Sequence, residues 1–492
     1  MSRPLLAIDQ GTTGTTALVF AEDGRTLGRA TVEFAQHFPK PGWVEHDATE
    51  IWRSVERAVN DAIEAAKVSA SDLAAIGITN QRETTLVWDK KTGSPIHRAI
   101  VWQCRRTADV CDALKKEGHA DRIREKTGLV IDAYFSGTKI AWILDHVDGA
   151  RKRAEAGELS FGTIDSFVVH RLTGGAVHVT DVTNASRTLL FGLRSLAWED
   201  ELLALFRVPR AVLPKVVSSA EIVGHTRGLS FLPDGIPIAG IAGDQQAALF
   251  GQACFARGDA KCTYGTGAFA LANVGREPLL SKNGLVTTVA WRIGDETTYA
   301  LEGSSFIAGA AVQWLRDGLG LVKSAAEIEE LARRVPSSEG VVFVPALAGL
   351  GAPYWDPAAR GTIVGLTRGT TAAHLARATL EGIALSVNDL LAAMAVDSGA
   401  VSRLRVDGGA ARNDLLMQFQ ADVTECTVER PFDVESTGRG AAMLAGVGVG
   451  RMKPADATKM VRIERTFTPQ MAKPARVAHI EAWKRGIAAA RS

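Results

Sequence analysis

Three times in this chain a short apolar run of β type meets a turn built from glycine and small polar residues. Asp9-Gln10-Gly11-Thr12-Thr13-Gly14-Thr15-Thr16 follows the run Leu5–Ile8; Tyr264-Gly265-Thr266-Gly267 lies between Ala260 and the run Phe269–Val274; Asp407-Gly408-Gly409-Ala410 follows Leu404–Val406. Glycine lets backbone N–H groups converge on an anion, and threonine hydroxyls add donors. Asp9, at the end of its strand, offers a carboxylate to Mg²⁺, which favours a carboxylate together with phosphate oxygens. A single loop of this kind is as readily a hairpin turn carrying a solvated aspartate. Two of them can grip a polyphosphate from opposite sides, and the third can approach an adenosine. Neither GxxxxGK[ST] nor a GxGxxG opening a helix after the first strand occurs, so this is neither a Walker A site nor a dinucleotide fingerprint.

The recurrence predicts a duplicated α/β unit. The chain has 492 residues, too many for one simple core, and 46% of them are hydrophobic, enough to bury two. We expect domains at 1–249 and 250–492, sharing a cleft because no linker separates them. In the first half, Leu5–Ile8 and Ala17–Phe20 read as a hairpin that Thr31–Phe34 continues, and Ala74–Ile78 as a strand. The spacing of Ile51, Trp52, Val55, Val59 and Ile63 predicts a helix over 49–67 with Thr49 as its cap. Further helices are expected at 103–117, 137–147, 165–172, 304–318, 371–395, 412–422 and 438–446. Glycine is in excess at 48 residues.

Charge narrows the function. With 56 Lys+Arg against 55 Asp+Glu the net charge is +1, which argues against a nucleic-acid partner. Cys104, Cys111, Cys254, Cys262 and Cys426 form no CxxC pair, so neither a disulfide framework nor a zinc site is expected, and a reducing cytoplasm fits. No apolar run approaches the ~18 residues of a membrane span, and the first residues are too short a run for a signal peptide. His37, His46, His97 and His374 lack metal spacing and read as surface or packing residues.

At this point the chain resembles a known family. The three turns look like the two phosphate loops and the adenosine loop of the sugar-kinase/actin/heat-shock-chaperone ATPase fold. Within that group, Tyr134-Phe135-Ser136-Gly137-Thr138-Lys139-Ile140-Ala141-Trp142 and Gly361-Thr362-Ile363-Val364-Gly365-Leu366, continuing to Glu381, resemble the two signatures of the FGGY carbohydrate kinases. The stretches Pro39–Asp47, Ile78–Thr85, Val101–Thr107 and Gly240–Ala248 are similar to members that phosphorylate glycerol. The resemblance implies two duplicated actin/hexokinase-like (ribonuclease H-like) α/β domains flanking an ATP cleft, with MgATP and glycerol as reactants. It also implies a homo-oligomer, dimer or tetramer.

A small triol needs donors and acceptors, because an unpaired buried hydroxyl costs about 1–3 kcal/mol. Arg82 and Gln245 offer donors, and Glu83 and Asp244 offer acceptors; Trp102, Tyr134 and Phe269 can pack against its carbons. The resemblance implies glycerol contacts for these seven and makes Asp244 the base. It implies nucleotide contacts for Thr12, Thr13, Gly14, Thr16, Thr266, Gly309, Gln313, Gly409, Ala410 and Asn413, and metal contacts for Asp9 and Asp244. The residues by themselves leave blander readings open: Arg82-Glu83 as a surface pair, the aromatics as core, Asp244 as a helix cap. Other small polyols, such as dihydroxyacetone or erythritol, and a non-catalytic ATP-driven role like that of the actin and chaperone members, are the alternatives. Thr16 stands where many relatives carry arginine. Thr226–Asp234 stands where members inhibited by fructose 1,6-bisphosphate have a basic Gly-rich loop; its one basic and one acidic residue predict weak or no inhibition.

Overall fold

Leu5, Leu6, Ala7 and Ile8 are all buried, the pattern of a strand covered on both faces. In the computed structural model, which describes residues 3–492, this strand is central to the first of two mixed sheets. The elements that position the site are β1 (Leu5–Gln10), β2 (Gly14–Phe20), β3 (Thr26–Glu33), α1 (Ala48–Ala66), β4 (Ala75–Asn80), α2 (Ser136–His146), β5 (Gly224–His225), β6 (Pro237–Gly243) and α3 (Asp244–Gly251). The second half contributes β7 (Ala260–Tyr264), β8 (Ala268–Gly275), β9 (Val286–Ile293), β10 (Glu296–Ser305), α4 (Gly309–Asp317), α5 (Ala372–Ser398), β11 (Arg403–Asp407), α6 (Asp414–Thr424), β12 (Thr427–Pro431), α7 (Ser436–Gly448) and β13 (Ile463–Phe467).

The first sheet runs β5-β6-β4-β1-β2-β3 and the second β9-β10-β8-β7-β11-β12-β13. The duplication is explicit in the pairings. β1 is antiparallel to β2 and parallel to β4, β6 is parallel to β4, and β2 is antiparallel to β3. In the same way β7 is antiparallel to β8 and parallel to β11, β12 is parallel to β11, and β8 is antiparallel to β10. Even the edges match, with β5 antiparallel to β6 and β13 antiparallel to β12. The second sheet adds only β9, on β10.

Each repeat places a long helix before its first parallel crossover. α1 turns Ile51, Trp52, Val55, Ala58, Val59 and Ala62 onto the first sheet. Its cap is Asp47, whose carboxylate accepts from Thr49 N and Glu50 N, not the expected Thr49. A carboxylate two residues ahead reaches both free N–H groups and favours the positive helix end. α5, the counterpart, is long and apolar enough to cross a membrane, but it lies in the core of the second half, with Leu380, Ile383, Val387 and Leu390 buried.

The helices that follow the last parallel strands, α3 and α7, pack on each other through glycines. A Cβ on Gly440 would lie 1.8 Å from Ala247 O, and one on Gly251 would lie 2.0 Å from Ser436 O. α7 also covers the first sheet: Ala441, Ala442 and Leu444 share a core with Leu5, Ala7 and Ala239. Part of the glycine excess is therefore a helix crossing rather than phosphate chemistry.

Two expected helices are shorter than the spacing predicts. The helix at 103–117 begins only at Ala108, because Arg105 pairs with Asp132 and Arg106 with Glu45, holding 103–107 in turns. That at 304–318 begins at Gly309, because Ser304 and Ser305 are still laddered to β8. The other helices match to within three residues at each end.

At the helix crossing the obstacle to a larger residue is backbone, which cannot swing aside. Gly440→Ala is expected to lower the melting temperature by roughly 5 °C or more, read by calorimetry against wild type.

Candidate active site

The chain leaves β4 at Asn80, and within three residues places Arg82 and Glu83 at the buried junction of the two halves, 2% and 1% exposed. Glu83 sits at φ +60, an uncommon conformation for a side chain of its size. Its carbonyl is held there by Ser136 Oγ at 3.0 Å and Lys139 Nζ at 3.4 Å, both from α2.

The Arg82 guanidinium is fully engaged. Nη1 and Nη2 donate to the two oxygens of Glu302 on β10 at 2.6 and 2.9 Å, and Nε lies 3.1 Å from Asp244 Oδ1. Gln246 Oε1 at 3.2 Å and the Tyr134 hydroxyl at 3.3 Å complete the set. Arg187, wholly buried, joins Glu83 at 2.7 Å to Glu302 at 3.0 Å. Burial would push the Glu302 carboxyl up, but the Arg187 and Arg82 guanidiniums overcome it and hold it down at about 2. For Glu83 burial prevails over the same two cations, and its carboxyl titrates above the ordinary range. The surface-pair reading of Arg82-Glu83 is thus excluded.

Asp244 is the first residue of α3, and its Oδ1 accepts from Gln245 N at 2.7 Å while the side chain stays 31% exposed. It is at once anchored and accessible. Asp9, near the end of β1, is raised well above the ordinary carboxylate value by burial and then by the charges of Asp244 and Glu435. Such an excess of negative charge is what a divalent cation relieves. Among the described residues no group of three possible ligands surrounds one. Two carboxylates fit Mg²⁺, which keeps waters and takes phosphate oxygens.

Three aromatic rings gather beside these groups. Trp102 meets Tyr134 edge-on at 5.6 Å and Phe269, from β8, at 6.4 Å. Trp102 Nε1 donates to Thr12 Oγ1 at 2.9 Å, which ties the aromatic cluster to the first phosphate loop. That loop is closed by Gly11 N on Gly14 O at 2.9 Å and supported from behind by Gln36 on Thr12 O at 2.8 Å. Gln36 in turn meets His46, which is fully buried and held neutral by burial, its pKa lowered to about 3. Thr13 is exposed at the loop tip. Thr16 lies on β2 opposite Asp9, with its hydroxyl 2.9 Å from that of Thr31.

The second loop is built alike. Gly265 N donates to Gly267 O at 2.9 Å, and Thr266 projects exposed between them. Gly309 is the first residue of α4 and packs against this loop. Its N–H donates to Gly265 O at 2.9 Å, and a Cβ there would lie 2.6 Å from that same oxygen, so it seats α4 on the loop. Gln313, one turn on, is exposed. In the third loop Gly408, at φ +85, lies against the Tyr264 backbone, whereas a Cβ on the exposed Gly409 would meet nothing within 4 Å. Ala410 is half-buried beside it, and Asn413 Oδ1 caps α6 by accepting from Leu416 N at 2.9 Å.

Sequence reasoning missed Glu302, Arg187, Gln246 and Lys261. A signal existed for the first two: Glu302 follows Tyr299-Ala300-Leu301 directly and Arg187 stands just ahead of Leu189-Leu190-Phe191, each a charge at the end of an apolar run.

A duplicated sheet whose strand ends carry glycine–hydroxyl loops, meeting at buried carboxylates and guanidiniums, is the architecture of a two-domain ATP-dependent kinase. Residues 5–251 match the N-terminal domain of the FGGY family of carbohydrate kinases, and residues 260–449 its C-terminal domain. The chain belongs to that family. It is 57% identical to a glycerol kinase of Myxococcus xanthus (strain DK1622), over 98% of both chains. It is 58% identical to one of Deinococcus radiodurans, over 99% of this chain and 97% of that one. The solved glycerol kinase of Plasmodium falciparum with ADP superposes at a TM-score of 0.92 and 35% identity, covering 99% and 98% of the two chains. A gluconate kinase of Lactobacillus acidophilus shares the fold, at a TM-score of 0.87 and 22% identity.

The open space at Gly409 separates packing from ligand approach. Gly409→Ala is expected to leave the melting temperature within about 2 °C, since the methyl group touches no protein atom. The same change is expected to raise the KM for ATP several-fold, measured by steady-state kinetics.

Proposed function

We propose that the chain transfers the γ-phosphoryl group of ATP to a terminal hydroxyl of glycerol, giving sn-glycerol 3-phosphate in glycerol catabolism. The observation that carries this reading is the juxtaposition of Asp244, Arg82, Glu83 and Gln245 with the rings of Trp102, Tyr134 and Phe269. Together they make a small amphipathic pocket for a compact polyol. The aromatic walls favour glycerol over erythritol.

Phosphoryl transfer depends on positioning and charge neutralisation more than on covalent chemistry. Arg82 holds Asp244 from one side and leaves part of its carboxylate open to take the proton of the attacking hydroxyl. Asp9 and Asp244 would hold Mg²⁺, which when bound neutralises charge on the transferring phosphate. Thr12, Thr13, Gly14 and Thr266 bind the phosphates, Thr16 lies beside them on the sheet, and Gln313, Gly409, Ala410 and Asn413 border the adenosine.

The same reading includes a division of the chain at 249/250, supported by the repeated strand pairings on either side of it. It includes a cytoplasmic location, supported by five buried cysteines none of which is paired, and a homo-oligomer, dimer or tetramer, which light scattering checks. In the loop Thr226–Asp234, Asp234 Oδ1 accepts from Gly228 N at 2.7 Å. The loop's own carboxylate thus takes the N–H that an anion would need, supporting insensitivity to fructose 1,6-bisphosphate. Inhibition by that sugar below millimolar concentration would contradict this.

ADP release from ATP is expected to require glycerol and to cease with EDTA. Asp244→Asn should retain glycerol binding by calorimetry while kcat falls about 10²–10⁴-fold. Turnover unaffected by glycerol, or a kcat near wild type in Asp244→Asn, sinks the assignment.

A further inference from the structure

Lysine is almost never fully buried without a partner for its charge. Lys261 on β7 is wholly buried, and none of its hydrogen-bond partners is a carboxylate. Its ammonium donates to Gln245 Oε1, to Thr263 Oγ1 at 2.9 Å and to Phe269 O at 3.4 Å. An ammonium has three donors and no acceptor, so all three are in use. Those partners belong to three parts of the site: Gln245 to α3 beside Asp244, Thr263 to the strand entering the second phosphate loop, and Phe269 to the aromatic wall. Burial lowers the pKa of Lys261 against the pull of Asp407, Cys262 and Asp244, so the position is not an easy one for a cation.

The consequence lies in Gln245. A glutamine amide is an acceptor at one end and a donor at the other, and a free one turns over. Facing an ammonium, which only donates, Gln245 must present its oxygen there. That turns Nε2 away from Lys261 and makes the far end of the amide a donor.

We propose that Lys261 is a positioning residue for the polyol site, locking the Gln245 amide so that it offers N–H to a substrate hydroxyl oxygen. This rests on the glycerol kinase reading above and deepens it. With Asp244 accepting the proton of the reacting hydroxyl, a neighbouring donor at fixed orientation selects which hydroxyl is presented. The same ammonium, bound to Thr263 and the Phe269 carbonyl, ties that orientation to the half carrying the second phosphate loop. Direct service as a phosphate cation is the competing role, and it would require Lys261 to give up one of its three bonds.

A double-mutant cycle on the full chain tests this: wild type, Lys261→Met, Gln245→Ala and the pair, with KM for glycerol, KM for ATP and kcat measured for each at saturating Mg²⁺. Lys261→Met is expected to raise the glycerol KM about ten-fold while the ATP KM stays within about two-fold. In the Gln245→Ala background the same change should alter the glycerol KM by less than about two-fold, because the amide it orients is gone. Equal effects in both backgrounds, or a rise confined to the ATP KM, overturn the proposal. Should Lys261→Met melt far below wild type, Lys261→Gln runs the same cycle, since its amide both donates and accepts and no longer fixes which end of Gln245 faces it. Wild-type ADP release that ignores glycerol would overturn the functional reading itself. Glycerol-dependent release with an additive cycle overturns only the role of Lys261.

Discussion

The pair Arg82–Glu302 is the interaction on which the site depends. Arg82 comes from the end of β4 in the first half and Glu302 from β10 in the second, and both are buried. Charges of this kind gain nothing from water, so their stability is conditional on partners being in place. With Arg187, Glu83 and Asp244 they form a cluster of two cations and three anions. Take away the second half and Arg82 and Arg187 lose Glu302, the carboxylate that each meets within 3.0 Å, and keep only Glu83 in common. The site is therefore a property of the docked halves rather than of either alone, and a buried two-pronged ion pair between them fixes its geometry.

That docking needs the backbones close. The α3–α7 crossing at Gly251 and Gly440 leaves no room for side chains, and α3 begins with Asp244. The contact that joins the repeats and the carboxylate assigned as base are thus seven residues apart on one short helix. A shift of that helix moves Asp244 relative to Arg82 and Asp9 together. Such a linkage explains why small residues accumulate in Asp244–Gly251 and Ser436–Gly448, although neither stretch is itself a phosphate loop.

Much of this was legible in the residues. The repeated turns gave the duplication, and the aromatic and charged candidates do converge, since Trp102 lies within ring contact of both Tyr134 and Phe269. What escaped was whatever depends on partners distant in sequence. Glu302 is 220 residues from Arg82, and only the juxtaposed sheets reveal the pair. Helical spacing at 304–318 was real, but the ladder to β8 took its first residues, because tertiary hydrogen bonds outrank local periodicity. Gly309 carries a signal of close approach, and one group that comes close is the Gly265 carbonyl of the protein itself. Composition cannot tell a ligand from a backbone at the same distance.

The bond from Trp102 Nε1 to Thr12 Oγ1 joins the two substrate sites at a single hydroxyl. Thr12 has one proton to donate, and the indole N–H occupies one of its lone pairs, so that proton is directed elsewhere. Trp102 is the wall proposed for the polyol, and its ring also faces Phe269, two residues beyond the second Gly/Thr loop. A polyol seated on Trp102, as the proposed function has it, would therefore bear on both loops. ATP hydrolysis differs from transfer to a polyol only in the attacking group, so under the proposed function a contact shared by the acceptor wall and both loops is where the two acceptors would be told apart.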